Sequence, residues 1–407
     1  MRTVFSFHEI KTHRDDDFVD RLSRIYTSTL LVIFAGIVST KQFVGAPISC
    51  WCPAHFTESH RQYTNNICWI SNTFYVPFEQ RIPDDNDNVW RQKRMVSYYQ
   101  WIPLILLSMI LFSLIPGLLW RFFMLRSGVN VAALIDAATT CQRASYTEIR
   151  ARTIRYIVVQ MDRYLMAQRD YSKGCCVRIR HVTSKYCFLI GGKRHGNYLT
   201  VSYLVVKLLY LFNAVGQLFL LDKFLGIDYH WYGIQVISQL VRGEDWTVSE
   251  RFPRVTLCNF EIRHQARIHD YVVQCALTIN LFNEKIFVIV WFWYVFIALA
   301  TLFSLTQWIV RAVVWPAQFH YVKKHLRALD VADRSKGHLR KFVQYYLRRD
   351  GLFLIRIIAL NIGELVAAEV LAGLWENYGP DKKLITENPE CRRKLLRTTH
   401  GPHLDIV

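Results

Sequence analysis

Residues 286–310 read IFVIVWFWYVFIALATLFSLTQWIV, twenty-five positions without a single charge. A helix of that length reaches ~37 Å, more than the ~30 Å hydrocarbon core of a bilayer. Working outward, Tyr98–Trp120 is a second uncharged run of 23 residues, or ~34 Å of helix. Ile25–Thr40 is a shorter third, which crosses only if it extends through Lys41 to Val44 with the lysine snorkelling to the interface. The fourth run, Val201–Leu221, is interrupted by Lys207, a charge expected to reach the interface or a wet cavity. Leu352–Trp375 is different. Arg356, Glu364 and Glu369 punctuate it, so a soluble or interfacial helix is expected rather than a fifth span.

Composition agrees with a membrane protein. About half of the 407 residues are apolar (52%) and 14% are aromatic, with a mean hydropathy of +0.12. Glu9 and Asp15–Asp17 precede the first run and no small-residue cleavage site follows it, so no signal peptide is expected. The net charge of +18 admits nucleic acid or a membrane as partner, and its distribution decides between them. Segments 1–24, 121–200 and 311–407 hold 36 of the 50 lysines and arginines, which places both termini in the cytoplasm by the positive-inside rule. The chain carries no helix-turn-helix, zinc-finger or RNA-binding motif, and no nucleic-acid partner is expected.

The expected organisation is a cytoplasmic amino-terminal segment 1–24, spans at 25–44, 98–120, 201–221 and 286–310, outer loops 45–97 and 222–285, and cytoplasmic regions 121–200 and 311–407. Apolar residues three and four apart in Val129–Tyr171 and Asp330–Trp375 predict helices that pack as a cytoplasmic cap. Pro47, Pro53, Pro77, Pro83 and Pro253, among aromatic and β-branched residues, predict short strands and turns in the outer loops.

Cys50, Cys52 and Cys68 fall in the first outer loop, Cys258 and Cys275 in the second. Outside the cell thiols oxidise, whereas Cys141, Cys175, Cys176, Cys187 and Cys391 face a reducing cytoplasm. The spacings Cys50 to Cys68 and Cys258 to Cys275 are nearly equal, so the loops can lie antiparallel with two rungs, Cys50–Cys275 nearer the membrane and Cys68–Cys258 further out. Four cysteines allow three connectivities, and spacing favours this one without excluding the others. Cys52 is left as a free thiol; a metal pair with Cys50 would require further ligands such as His55 and His60.

Tyr98-Tyr99-Gln100-Trp101-Ile102-Pro103 at the mouth of the second span resembles the signature of the innexin family, in which the aliphatic position is often valine. Asp16-Asp17-Phe18-Val19-Asp20-Arg21-Leu22 resembles the family's amino-terminal segment, and Lys41–Gly45 with Pro47–Trp51 the start of its first outer loop. Phe252–Cys258 and Asn280–Ile286 resemble its second outer loop, and Asp350–Leu354 a block of its cytoplasmic tail. The resemblance covers 15–375; Cys52 and the short tail after Trp375 depart from it.

The resemblance implies an α-helical polytopic membrane protein: a four-transmembrane-helix bundle with disulfide-linked extracellular loops containing short strands, a helical cytoplasmic cap, and assembly into a ring of identical subunits. Eight subunits are expected, six being the alternative. Such a ring sits among membrane lipids and docks with an innexin channel of the adjacent cell as a gap junction. It implies cross-loop pairing for Cys50, Cys68, Cys258 and Cys275, and a pore lined by the amino-terminal segment (Arg2, Thr3, Phe5) and the polar face of the first span (Tyr26, Thr27, Thr29, Ser39, Thr40). An undocked hemichannel is the runner-up, and a four-pass adhesion protein is the reading from another class. Connexins carry three cysteines per outer loop, and the tetraspanin and claudin cysteine motifs do not occur here. No cofactor, metal site or catalytic arrangement is expected.

Smaller features have plain readings. Pro116-Gly117 is expected to kink the second span for packing, and Asp15-Asp16-Asp17 to form a solvated turn capping the next helix. Gly191–Gly196 reads as a juxtamembrane loop, Cys175-Cys176 as a palmitoylation or core position, and His264 and His269 as structural or exposed.

Overall fold

The computed structural model describes residues 16–77, 94–143, 146–167, 196–226, 228–243, 252–264, 267–329 and 336–378. Arg2, Thr3, Phe5, Asp15, Pro83, Cys175, Cys176, Cys187, Cys391 and residues 191–195 lie outside them. Among the described residues four helices are long and apolar enough to cross a membrane: α1 (Phe18–Phe43), α3 (Ile102–Ser127), α6 (Tyr198–Leu225) and α8 (Thr278–Val313). The chain divides into two compact units. One comprises Val19–Gly117 with Lys207–Phe303; the other comprises Met1–Phe18, Leu118–Val206 and Ser304–Val407.

The first unit carries a five-stranded sheet in the order β1-β5-β4-β2-β3. Its strands are β1 (Ser49–Trp51), β2 (Thr73–Phe74), β3 (Met95–Val96), β4 (Val255–His264) and β5 (Arg267–Ala276). β4 and β5 form a long antiparallel hairpin, and β1 pairs with β5 so that Cys50 faces Cys275. The segments between spans also hold two helices the sequence did not suggest, α2 (Glu58–Ile70) and α7 (Tyr232–Arg242). Both have clear end signals. Thr57 and His60 form a reciprocal capping box at the start of α2, and Gly243 ends α7 with φ +72°.

Within this unit the spans are joined by buried polar contacts. Lys207 does not reach an interface or a cavity: it is fully buried, with Nζ 2.9 Å from Asp20 Oδ1 on α1. Gln217 of α6 donates to the Met109 carbonyl and the Ser113 hydroxyl of α3, and Tyr294 of α8 donates to Gln217 Oε1 at 2.6 Å. Such bonds hold helices together where lipid tails offer no hydrophobic contrast. At Pro116-Gly117 the glycine permits a close approach: a Cβ there would lie 2.6 Å from Arg24 Cδ and 3.1 Å from the Tyr210 hydroxyl.

The second unit is helical: α4 (Val131–Arg143), α5 (Thr147–Ala167), α9 (Trp315–Ala328), α10 (Lys336–Lys341, continued by a π turn Phe342–Leu347), α11 (Arg348–Asn361) and α12 (Glu364–Asn377). The run expected as one helix over Leu352–Trp375 is two, because Gly363 adopts φ +135° between α11 and α12. Neither is among the membrane-crossing helices of the described residues, and Leu352–Ile358 of α11 is buried throughout. Asp16 and Asp17 of the acidic run likewise pack within the unit. Asp16 is buried, and Asp17 accepts from the Phe18 amide, the Ser304 hydroxyl (2.8 Å) and the Trp308 indole.

Asp350, in the block Asp350–Leu354, has a specific task. Its carboxylate accepts from the amides of Leu199 and Thr200, the Thr200 hydroxyl and the Tyr164 hydroxyl. It thereby satisfies amide groups in the first turn of α6 that have no partner within the helix. Burial pushes this carboxyl above the ordinary range, against the pull of those donors. Asp350→Ala strands these donors, so the purified protein should lose about 2–4 kcal/mol of stability, seen as a lower thermal unfolding midpoint. Asp350→Asn, which keeps one acceptor oxygen, should lose less.

Candidate functional site

The first unit presents two surfaces with functional potential: the cross-linked sheet and the exposed face of α1. Cys50 is bonded to Cys275 and Cys68 to Cys258, across sequence separations of 225 and 190 residues. The arrangement differs from two rungs spaced along antiparallel loops. Cys68 lies on α2, not on a strand. Cys258 and Cys275 lie at the same end of the hairpin, because its turn falls between them, and their side chains share one face. The bridges are consequently neighbours, with the sulfurs of Cys50, Cys68 and Cys275 within 4.8 Å of one another. All three sulfurs are in disulfides, so no thiolate there is available to a metal. Cys52 is a free, half-buried thiol pointing at the Cys50 carbonyl, 3.8 Å away.

The six residues Tyr98–Pro103, which lead into and begin α3, tie both loop segments to the second span. Tyr98 is buried, and its hydroxyl accepts from Asn280, whose amide also bonds the Pro253 carbonyl. The Tyr99 hydroxyl and the Gln100 amide both donate to the Trp69 carbonyl at the end of α2. Gln100 also reaches Asn72, which holds a left-handed φ of +68°. Trp101 is 55% exposed, while Pro103 is buried in the first turn of the helix, where its missing amide costs nothing. Asn280 and Asn283 are linked at 3.2 Å, and the buried Glu284 pairs with Arg254 at 2.9 Å. The blocks 98–103, 252–258 and 280–286 therefore form one polar and aromatic joint.

Along α1 the exposed positions include Tyr26, Thr29, Ile33, Gly36, Ile37, Thr40 and Val44, recurring every three or four residues on one face. Ser39 is half-buried at its edge. Thr27 does not belong to this face. It is 1% exposed, donates to the Leu22 carbonyl at 3.1 Å and accepts from the Trp293 indole at 2.9 Å. Hydroxyl content alone cannot separate it from Thr29 two positions on, because both are threonines in an apolar run. Asp20, Ser113, Gln217 and Tyr294 were not anticipated as structural contacts. For Ser113, Gln217 and Tyr294 the signal is a polar side chain inside an expected span, and for Asp20 an acid just ahead of one; in each case the sequence does not show the partner.

The Asp20–Lys207 pair gives a direct test. Lys207→Met removes the buried cation 2.9 Å from Asp20 and should cost about 3–5 kcal/mol, read as loss of folded protein at the cell surface. The double variant Asp20→Asn/Lys207→Met, with neither charge left, should recover much of that loss.

Comparison with known proteins agrees on one family. A family model described as Innexin matches residues 16–378. Innexin unc-9 of Caenorhabditis elegans is 40% identical over 377 residues, covering 92% of this chain and 95% of that protein. Innexin-19 of Caenorhabditis briggsae is 32% identical over 420 residues, covering 97% and 93% respectively. Innexin-11 of C. elegans is 34% identical over 378 residues, covering 91% and 80%.

Proposed function

Since this chain belongs to the innexin family, we propose that its subunits ring a pore and dock end to end with a ring in the adjacent cell as a gap junction. Ions and small metabolites pass passively, selected by pore width and wall charge rather than by a tight coordination site. The observation that carries this reading is the pair of adjacent disulfides that bind β1 and α2 to the β4–β5 hairpin. A surface fixed in advance loses little ordering entropy on association, which is what docking between cells requires. The segments 41–100 and 222–285 contain no Asn-x-Ser/Thr sequon, in keeping with a docking face unobstructed by glycans.

In this reading both termini and the helical unit are cytoplasmic, the sheet is extracellular, and the ring is a homo-octamer embedded in lipid. The pore wall combines the amino-terminal residues Arg2, Thr3 and Phe5 with the exposed face of α1, of which Tyr26, Thr29 and Thr40 are the polar members. Thr27 takes no part in the wall.

Paired cells expressing the chain should pass current and small dye between them. Current across single-cell membranes with none between pairs would favour the undocked hemichannel, and neither, despite surface delivery, would remove the channel reading. In the same cells Thr29→Cys should make the current sensitive to a charged, membrane-impermeant thiol reagent. Thr27→Cys, delivered to the surface, should stay insensitive.

A further inference from the structure

The hairpin carries charges that the described residues of the subunit leave unmatched. Arg263 lies opposite Ile268, Glu261 opposite Asp270, and Asn259 opposite Val272. Alternate positions along a strand share a face, so Arg263, Glu261 and Asp270 project from the same side of the hairpin. All three are exposed. Among the described residues none of these three side chains has an ion-pair or hydrogen-bond partner. Like charges directly opposite one another weaken a strand pair, and here the Glu261 and Asp270 carboxylates face each other with no ion pair to either among the described residues.

We propose that this face makes docking self-selective: Arg263 of one copy seats between Glu261 and Asp270 of a second copy of this chain in the opposed membrane. The inference rests on the docked reading above. The basic row lies two residues nearer the turn than the acidic row, a step of about 7 Å along the strand. A two-fold axis through the row between them, where Ile262 faces His269, superposes each basic row on the other hairpin's acidic row. An isologous contact of this kind is its own complement, so a second identical chain satisfies both charge sets at once. Ile268, 56% exposed beside Arg263, adds apolar contact to the same face. Arg267 pairs with His264 in register and projects from the opposite face, outside the contact.

Charge reversal in paired cells tests this. One variant is Arg263→Glu, the other Glu261→Lys/Asp270→Lys. All three positions are exposed, so both variants should reach the surface, and single-cell current checks that each ring is intact. Either variant paired with itself should lose junctional conductance by at least about tenfold, while the mixed pair, in which every contact is again opposite in sign, should recover most of it. Coupling between Arg263→Glu cells that equals the wild type would overturn the proposal, and so would a silent mixed pair. Loss of single-cell current in Arg263→Glu would also overturn it, by assigning the charges to contacts within one ring. Coupling that survives Arg263→Glu but disappears on chelation of divalent cations would overturn it by showing a metal between the carboxylates. Wild-type pairs that fail to couple at all would instead remove the docked reading on which it rests.

Discussion

The sheet-bearing unit depends on two covalent ties between segments 225 and 190 residues apart. A single bridge closing a loop of 225 residues restricts the unfolded chain by about 5 kcal/mol on a chain-entropy account. The second bridge lies beside the first, so its main effect is on orientation: it fixes α2 over the hairpin. Once those elements are joined, the short strands β1, β2 and β3 can complete a sheet that none of them would sustain alone. The polar joint of Tyr98, Asn280 and Gln100 then carries that rigidity to the starts of α3 and α8.

Within the spans a different force is at work. Lipid offers apolar side chains no advantage over other apolar side chains, so specificity comes from the few polar groups that would otherwise be stranded in hydrocarbon. The Lys207–Asp20 pair links α6 to α1, Gln217 links α6 to α3 and α8, and the Thr27–Trp293 bond links α1 to α8. These same contacts decide which face of α1 is turned away from the other spans. Thr27 is turned inward by its bond to Trp293, and the face carrying Tyr26, Thr29 and Thr40 is left exposed among the described residues.

The four spans were legible in the sequence because length and the absence of charge are local properties. The family was legible because its motifs keep their order along the chain. What one sequence hides is pairing. Lys207 reads as a costly interruption until Asp20 is found beside it, and Asp350 reads as an ordinary acidic residue until it meets the first turn of α6. The two bridges appear well separated if the loops are drawn as extended ladders, yet a hairpin turn between Cys258 and Cys275 brings them side by side. The helices α2 and α7 are marked in the sequence only by their ends, the capping box at Thr57 and the glycine stop at Gly243, because their interiors are rich in β-branched, aromatic and polar residues that also suit strands and turns.

The central claim is that the two strand-bearing segments between the spans are tied to each other and not each to itself. Tryptic mapping of the unreduced, alkylated protein tests it directly, since Arg61 separates Cys50 from Cys68, and Arg263 and Arg267 separate Cys258 from Cys275. The account predicts one linked pair joining the Cys50 peptide to the Cys275 peptide, another joining Cys68 to Cys258, and an alkylated Cys52. A Cys50–Cys68 or Cys258–Cys275 linkage, confining each bridge to its own segment, would contradict it.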